Sequence, residues 1–146
     1  MIRNEVSEVL AASPARVFEF LVDDGKLKQW LGGLLESTAL AGTAFGVGTA
    51  HRQVLVIGGH REVVERVISA FEPEALLAFR IRAEHMDIAG RFELEPDGGG
   101  TRLTYVQETG GGSLAMRLMK PVLSGKIQRK IQGDLDSLKR LVERAD

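Results

Sequence analysis

Few side chains in this 146-residue sequence combine chemical reactivity with a predictable position, and His85 is the first of them. Alternation along its strand places it on the same face as Phe79 and Ile81, towards the predicted interior. Histidine exchanges protons near neutral pH, as dehydration or aldol cyclisation requires. His85 is also near a strand end, where a slip of one residue turns it outward. A solvated turn histidine is therefore the favoured interpretation.

Tyr105 and Gln107 alternate with polar neighbours on a later strand and are predicted to point inward. A buried tyrosine hydroxyl needs a hydrogen-bond partner, which a ligand carbonyl or the backbone can supply. Tyr105 is thus the second catalytic candidate, although a core tyrosine bonded to the backbone is favoured. His51 and Gln53 share a face of an earlier strand and are candidates for a cavity mouth, but "VLVI" follows them without alternation.

Four further residues are more simply explained by the fold than by chemistry. In "REVVERVI" alternation does not choose the buried face, so Glu65 and Arg66 are interpreted as surface charges; if buried, either would need pairing or a ligand. His60 follows two glycines and is predicted to lie in a turn. Trp30, the only tryptophan, is predicted to pack in the core rather than stack on a ligand.

No cofactor or metal is implied by the motifs. The three histidines lack metal-ligand spacing, and there is no cysteine. "GVGTAH" lacks the strand and helix that flank a nucleotide-binding loop, and "GGGT" precedes a strand. Ser113 and Ser124 have no nucleophile elbow around them. Nothing here specifies an enzyme.

The spacing of apolar residues changes twice along the chain, and it predicts the elements that must position these side chains. An alternating strand near the N-terminus leads into Ser13-Pro14, a helix start, and two short helices follow up to Gly32-Gly33. From about residue 34 the period becomes two, in six strand-length runs separated by glycine or proline: "LLESTAL", "GTAHRQVLVIG", "HREVVERVISAFEP", "ALLAFRIRAEHM", "IAGRFELEP" and "TRLTYVQETG". One polar and one apolar face predict antiparallel pairing.

A helix is predicted from Pro121 to about Arg144, roughly 36 Å long, which suffices to cross a curved sheet. The stretch before it, "GGGSLAMRLMKPVLSG" (110–125), is too apolar for an ordinary surface helix. Residues 113–130 also hold five lysines and arginines and no acid. For the stretch 110–125 we rank three roles in order of preference: a pocket lid, a homodimer contact, and a contact with an anionic membrane.

Composition sets the remaining limits. The length suits one domain, residues 1–146. A net charge of −1 argues against nucleic acid as a partner. No run reaches the roughly 18 apolar residues of a membrane span, and the charged N-terminus does not resemble a signal peptide. A cytoplasmic location is therefore expected.

The order of these elements resembles the START/Bet v 1-like (SRPBCC) superfamily. Five segments carry the resemblance: "ASPARVFEFLVD" (12–23), "LKQWLGG" (27–33), "RVISAFEPEALLAFRI" (66–81), "EPDGGGTRLTYVQE" (95–108) and "GDLDSLKRLVE" (133–143). The segments are most similar to its polyketide cyclase/dehydrase and lipid-transport branch. This resemblance implies an α+β helix-grip fold, with about seven antiparallel strands curved around a long C-terminal helix and two short helices after strand 1. It also implies a hydrophobic ligand between sheet and helix, but supplies no shared catalytic motif.

We therefore expect a protein that binds or transports a hydrophobic small molecule, such as a lipid, an isoprenoid or quinone-like compound, or a polyketide. A polyketide cyclase or dehydratase is the principal alternative, and a partner- or membrane-binding module is the third. The predicted ligand contacts are Trp30, Gln53, Phe79, Ile81, Phe92, Leu94, Tyr105, Gln107, Met116, Met119, Leu123 and Ile127.

Overall fold

The computed structural model describes residues 1–40, 45–84, 86–112 and 114–144, without the side chains of Ala115 and Met116. Its elements, in chain order, are β1 (Ile2–Leu10), α1 (Pro14–Val22), α2 (Asp24–Trp30), β2 (Leu34–Ala39), β3 (Ala50–Ile57), β4 (His60–Glu72), β5 (Leu76–Arg82), β6 (Asp87–Asp97), β7 (Gly100–Gly110), α3 (Leu114–Leu118) and α4 (Lys120–Val142). The catalytic candidate His85 lies outside the described residues.

Two caps shape the corner between α1 and α2. The Ser13 side chain accepts a hydrogen bond from the Arg16 backbone N–H at 3.2 Å, and Pro14 occupies the first turn, where its missing N–H is not needed. Asp23 then ends α1 and caps α2 by accepting from the Lys26 N–H at 2.9 Å. This corner brings Trp30 into the core, where its indole N–H donates to the Phe20 carbonyl at 2.8 Å.

The strands form one antiparallel sheet in the order β1-β7-β6-β5-β4-β3-β2. Neighbours along the chain pair as hairpins, and only β1 pairs across the chain, with β7. Register shifts between Leu34 and Glu36 and between Ile68 and Ala70 mark bulges, which bend strands locally. The predicted α+β helix-grip architecture is confirmed.

Alternation in β5, β6 and β7 assigned the buried face correctly: Phe79, Ile81, Phe92 and Tyr105 are all buried. One face of the sheet thus supplies the floor of the core.

The other side of the core is α4, which contacts β1, α1 and α2. Its residues Ile131, Leu135, Leu138 and Val142 recur every three or four positions and are buried, so they form an apolar stripe on the side of the helix that faces the core. The helix begins at Lys120, one residue before the predicted start, and ends at Val142. In the described part of the chain, no helix combines the length and apolarity needed to cross a membrane.

Candidate functional site

A cavity of about 340 Å³ lies between the inner face of the sheet and α4. This volume falls within the range of small-molecule sites, roughly 300–1,000 Å³. The walls are mostly apolar, with side chains from α2, from β3 to β7 and from α4. Nine of the predicted contacts line it: Trp30, Gln53, Phe79, Ile81, Phe92, Tyr105, Gln107, Leu123 and Ile127.

Three other predicted contacts do not line the cavity in the described structure. Leu94 is buried, but it pairs with Leu103 further along β6, where α1 packs on the sheet and fills the space. Met119 is 56% exposed because it lies at the corner between α3 and α4 and faces solvent. The side chain of Met116 lies outside the described part of the chain.

The pocket lid predicted for residues 110–125 needs a related correction. Leu114, Leu118, Met119 and Val122 are each more than half exposed, so these side chains do not cover the cavity. Among the side chains of this segment that the structure describes, Leu123 alone lines it. The apolar side chains at the other four positions are therefore exposed to solvent.

An aromatic cluster forms the cavity floor. The ring centroids of Phe92 and Tyr105 are 4.4 Å apart, and Phe79 lies 6.2 Å from Phe92 and 6.4 Å from Tyr105. Gly90 makes room for them: an added Cβ would lie 2.3 Å from Cζ of Phe79 and 2.7 Å from the Tyr105 hydroxyl oxygen. Trp30 meets Phe92 edge-on at 6.1 Å, so it belongs both to the core and to the cavity wall.

Tyr105 has a side-chain partner and not the backbone partner that the sequence favoured. Its hydroxyl donates to Oε1 of Gln107 at 2.7 Å, and Nε2 of Gln107 donates to Oγ1 of Thr109 at 3.2 Å. Burial raises the pKa of Tyr105 well above its usual value. The phenol therefore stays neutral near pH 7 and presents a hydrogen-bonded polar group to the cavity.

Arg66 is a site residue that sequence reasoning placed on the wrong side of the sheet. It was interpreted as a surface charge, but it is 3% exposed and lines the cavity. Its Cζ lies 4.6 Å from the centroid of the Phe79 ring. Burial lowers its pKa to about 10, so the guanidinium is still protonated at neutral pH.

The available signal for Arg66 was the set Val64, Arg66 and Ile68, which alternates on one face of β4. The opposite face carries Val63 and Val67, so both registers look apolar and the pattern cannot choose. Pairing with β3 and β5 decides which face of β4 is buried, because Arg66 lies between His51 and Ile81 in the sheet.

A polar network borders Gln53. Asp24 accepts from the Ser37 hydroxyl and contacts Nδ1 of His51 at 3.1 Å, and Nε2 of Gln53 donates to the Ser37 oxygen at 3.1 Å. His51 and Gln53 on β3 were both predicted to lie at the cavity mouth. Both are buried here, but of the two only Gln53 lines the cavity. His51 instead packs against Phe45 and holds Asp24.

Lysines and one acid on α4 complete the lining. Lys126, Lys130 and Asp134 lie along one edge of the cavity. Asp134 accepts from Lys130 and from the Gly32 N–H, the latter at 3.0 Å, and so joins α4 to the loop after α2. Within the described residues, no group of three or more histidines and carboxylates is placed to hold a metal ion.

An antiparallel seven-stranded sheet, closed by a long C-terminal helix over an apolar cavity, is the architecture of START/Bet v 1-like proteins. The fold is similar to a START superfamily protein from Mycobacterium smegmatis, with TM-score 0.80, 17% identity and 98% of each chain covered. It is also similar to TTHA0849 from Thermus thermophilus (TM-score 0.78, 20% identity, 96% of each chain) and to Ara h 8.0201 (0.73, 19%, 96% of each chain). The chain belongs to the polyketide cyclase / dehydrase and lipid transport family, whose sequence profile matches residues 1–143. No curated protein matches it in sequence.

Proposed function

We propose that this protein binds a hydrophobic small molecule in the cavity between the sheet and α4. The observation that carries the proposal is the cavity itself, about 340 Å³ of mostly apolar lining with a few convergent polar groups. Membership of a family described by lipid transport and polyketide chemistry supports the same class of ligand: a lipid, an isoprenoid or quinone-like compound, or a polyketide.

Native mass spectrometry of freshly purified protein tests for a retained ligand, and titration with the neutral dye Nile red tests for an accessible apolar site. Ile127→Trp fills the cavity from α4, where Ile127 is only half-buried and the larger ring can be tolerated. Val63→Trp makes a similar change on the outer face of β4, where Val63 is 59% exposed. We expect Nile red binding to be lost in Ile127→Trp and kept in Val63→Trp. Equal binding by both variants, or no binding by the wild type, would overturn the proposal.

A cyclase or dehydratase is the alternative that the Tyr105 hydroxyl on the cavity wall favours. Because its raised pKa keeps this group neutral, it would act by turning its O–H from Gln107 to a substrate carbonyl and not as a base. Tyr105→Phe and His85→Ala separate the two functions when tested on the compound that mass spectrometry identifies. A binding protein changes in affinity alone, whereas an enzyme loses conversion of that compound.

We further propose that the segment 114–130 contacts an anionic membrane surface. The segment contains four exposed apolar side chains, Leu114, Leu118, Met119 and Val122, together with five lysines and arginines and no acid. Apolar side chains interleaved with lysine and arginine suit the interface of an anionic bilayer. A second copy of the chain would bury the apolar side chains but would bring like charges together.

A further inference from the structure

We propose that the bound molecule carries a carboxylate and that this head group pairs with Arg66 inside the cavity. The proposal rests on the proposed ligand-binding function and narrows it to amphipathic carboxylic acids.

The first argument is the missing partner of Arg66. Among the residues that the structure describes, none accepts a hydrogen bond from its guanidinium or forms an ion pair with it. Its recorded contact is with the face of the Phe79 ring. Buried charges in proteins are nearly always paired, since an isolated one loses its hydration without compensation. A protonated guanidinium that is 97% buried, lines a cavity and lacks an acceptor therefore points to an acceptor on the ligand.

The acid whose charge acts on Arg66 does not fill this role. Asp24 raises the pKa of Arg66 through its charge, but its carboxylate is bonded to Ser37 and His51 and makes no ion pair with Arg66. Asp134 also lines the cavity, and it is held by Lys130 and Gly32. Each of these carboxylates thus has other partners, and within the described residues neither forms an ion pair with Arg66.

The geometry of the guanidinium selects the head group. Phe79 lies against the guanidinium, with its ring centroid 4.6 Å from Cζ, and a π-face is not a hydrogen-bond acceptor of the carboxylate kind. The planar fork of N–H groups is therefore left for an acceptor on the ligand. A carboxylate matches that fork with two parallel hydrogen bonds, and such charge-assisted bonds are roughly twice as strong as neutral ones. A neutral carbonyl or alcohol would leave the positive charge uncompensated. The apolar remainder of the ligand then lies against side chains such as Leu55, Ile88 and Ile127.

The test compares decanoate with decanol and methyl decanoate, which share the chain and differ in the head group. Each displaces Nile red from the wild type and from Arg66→Met, with Arg80→Met as the control because Arg80 is exposed on β5. We expect the wild type and Arg80→Met to prefer decanoate by tenfold or more. In Arg66→Met that preference disappears, while decanol and Nile red still bind.

The wild type alone provides a second readout that does not depend on a variant. The Nε–Hε resonance of Arg66 should shift on adding decanoate and not on adding decanol. Equal affinity for acid and alcohol, or a preference retained in Arg66→Met, overturns the head-group assignment while the proposed function stands. Failure of all three compounds and of Nile red to bind overturns the proposed function and this assignment together.

Discussion

The guanidinium of Arg66 lies over the ring of Phe79, with 4.6 Å between Cζ and the ring centroid. The register of β4 and β5 produces this contact, because Arg66 pairs with Ile81 while Phe79 pairs with Ile68, two positions along the same face. A desolvated cation–π contact contributes about 2 kcal/mol, whereas burying an ion costs several. Without a ligand, the buried charge of Arg66 therefore lowers the free energy of unfolding.

Arg66→Met is expected to raise the free energy of unfolding of the ligand-free protein by about 1 kcal/mol or more, since methionine fills similar space without a charge. Urea denaturation measures the change. Arg80→Met, on the exposed face of β5, should change stability by less than about 0.5 kcal/mol. A large loss of stability in Arg66→Met would instead assign the arginine a structural role.

Gly90→Ala should destabilise the protein by about 1–3 kcal/mol, because the new methyl would collide with Phe79 and Tyr105 and force the aromatic floor to move. The matched control is Gly133→Ala on α4, where an added Cβ meets nothing within 4 Å. That change should stabilise the helix by up to about 1 kcal/mol. Urea midpoints that move in the same direction for both variants would contradict this account of Gly90.

The pH dependence of stability should include a contribution from Glu143. Hydrogen bonds from Lys139 Nζ at 2.6 Å and from the Ala11 N–H at 2.7 Å lower the pKa of this carboxyl group. Its folded pKa lies below its unfolded one, so the carboxylate stabilises the fold above the unfolded pKa. That contribution is lost as pH falls through the folded pKa.

Glu143→Gln is therefore expected to lower the melting temperature at about pH 7, and the difference from wild type should shrink below about pH 4. Thermal unfolding followed by circular dichroism across this range gives the measurement. Glu72→Gln, at the exposed end of β4, is the matched control for the loss of one surface carboxylate. A difference independent of pH would mean that the Glu143 contacts act by packing alone.

Vesicles of phosphatidylglycerol and phosphatidylcholine should sediment the wild-type protein, and added salt should reduce the effect. Arg117→Glu combined with Lys120→Glu should abolish sedimentation. The control is Arg80→Glu with Arg82→Glu, the same charge change on the exposed face of β5. Sedimentation unaffected by the first pair of changes would refute the membrane contact, and a dimer that Leu118→Ser dissociates would assign this surface to a second copy.

Most of the architecture was predictable from local pattern. Ser13-Pro14 marks the start of α1. The alternating residues of β5 to β7 and the stripe on α4 each bury one side and expose the other, so their own periodicity identifies the inner face. The same parity placed Phe79, Ile81, Phe92 and Tyr105 inside, and these residues do line the cavity.

The sequence by itself therefore determined the order of elements, the antiparallel sheet and most of the inward face. Only the tertiary structure decided that Arg66 is buried and that Met119 is exposed. Periodicity shows which residues of one segment share a face, but it does not show what packs against that face. Both faces of β4 are equally apolar, and only pairing with β3 and β5 turns Arg66 inward. The apolar residues of 110–125 predict a pocket lid, yet Leu118 and Met119 are exposed to solvent. Burial depends on contacts between distant segments, and at these positions the local pattern carries no record of them.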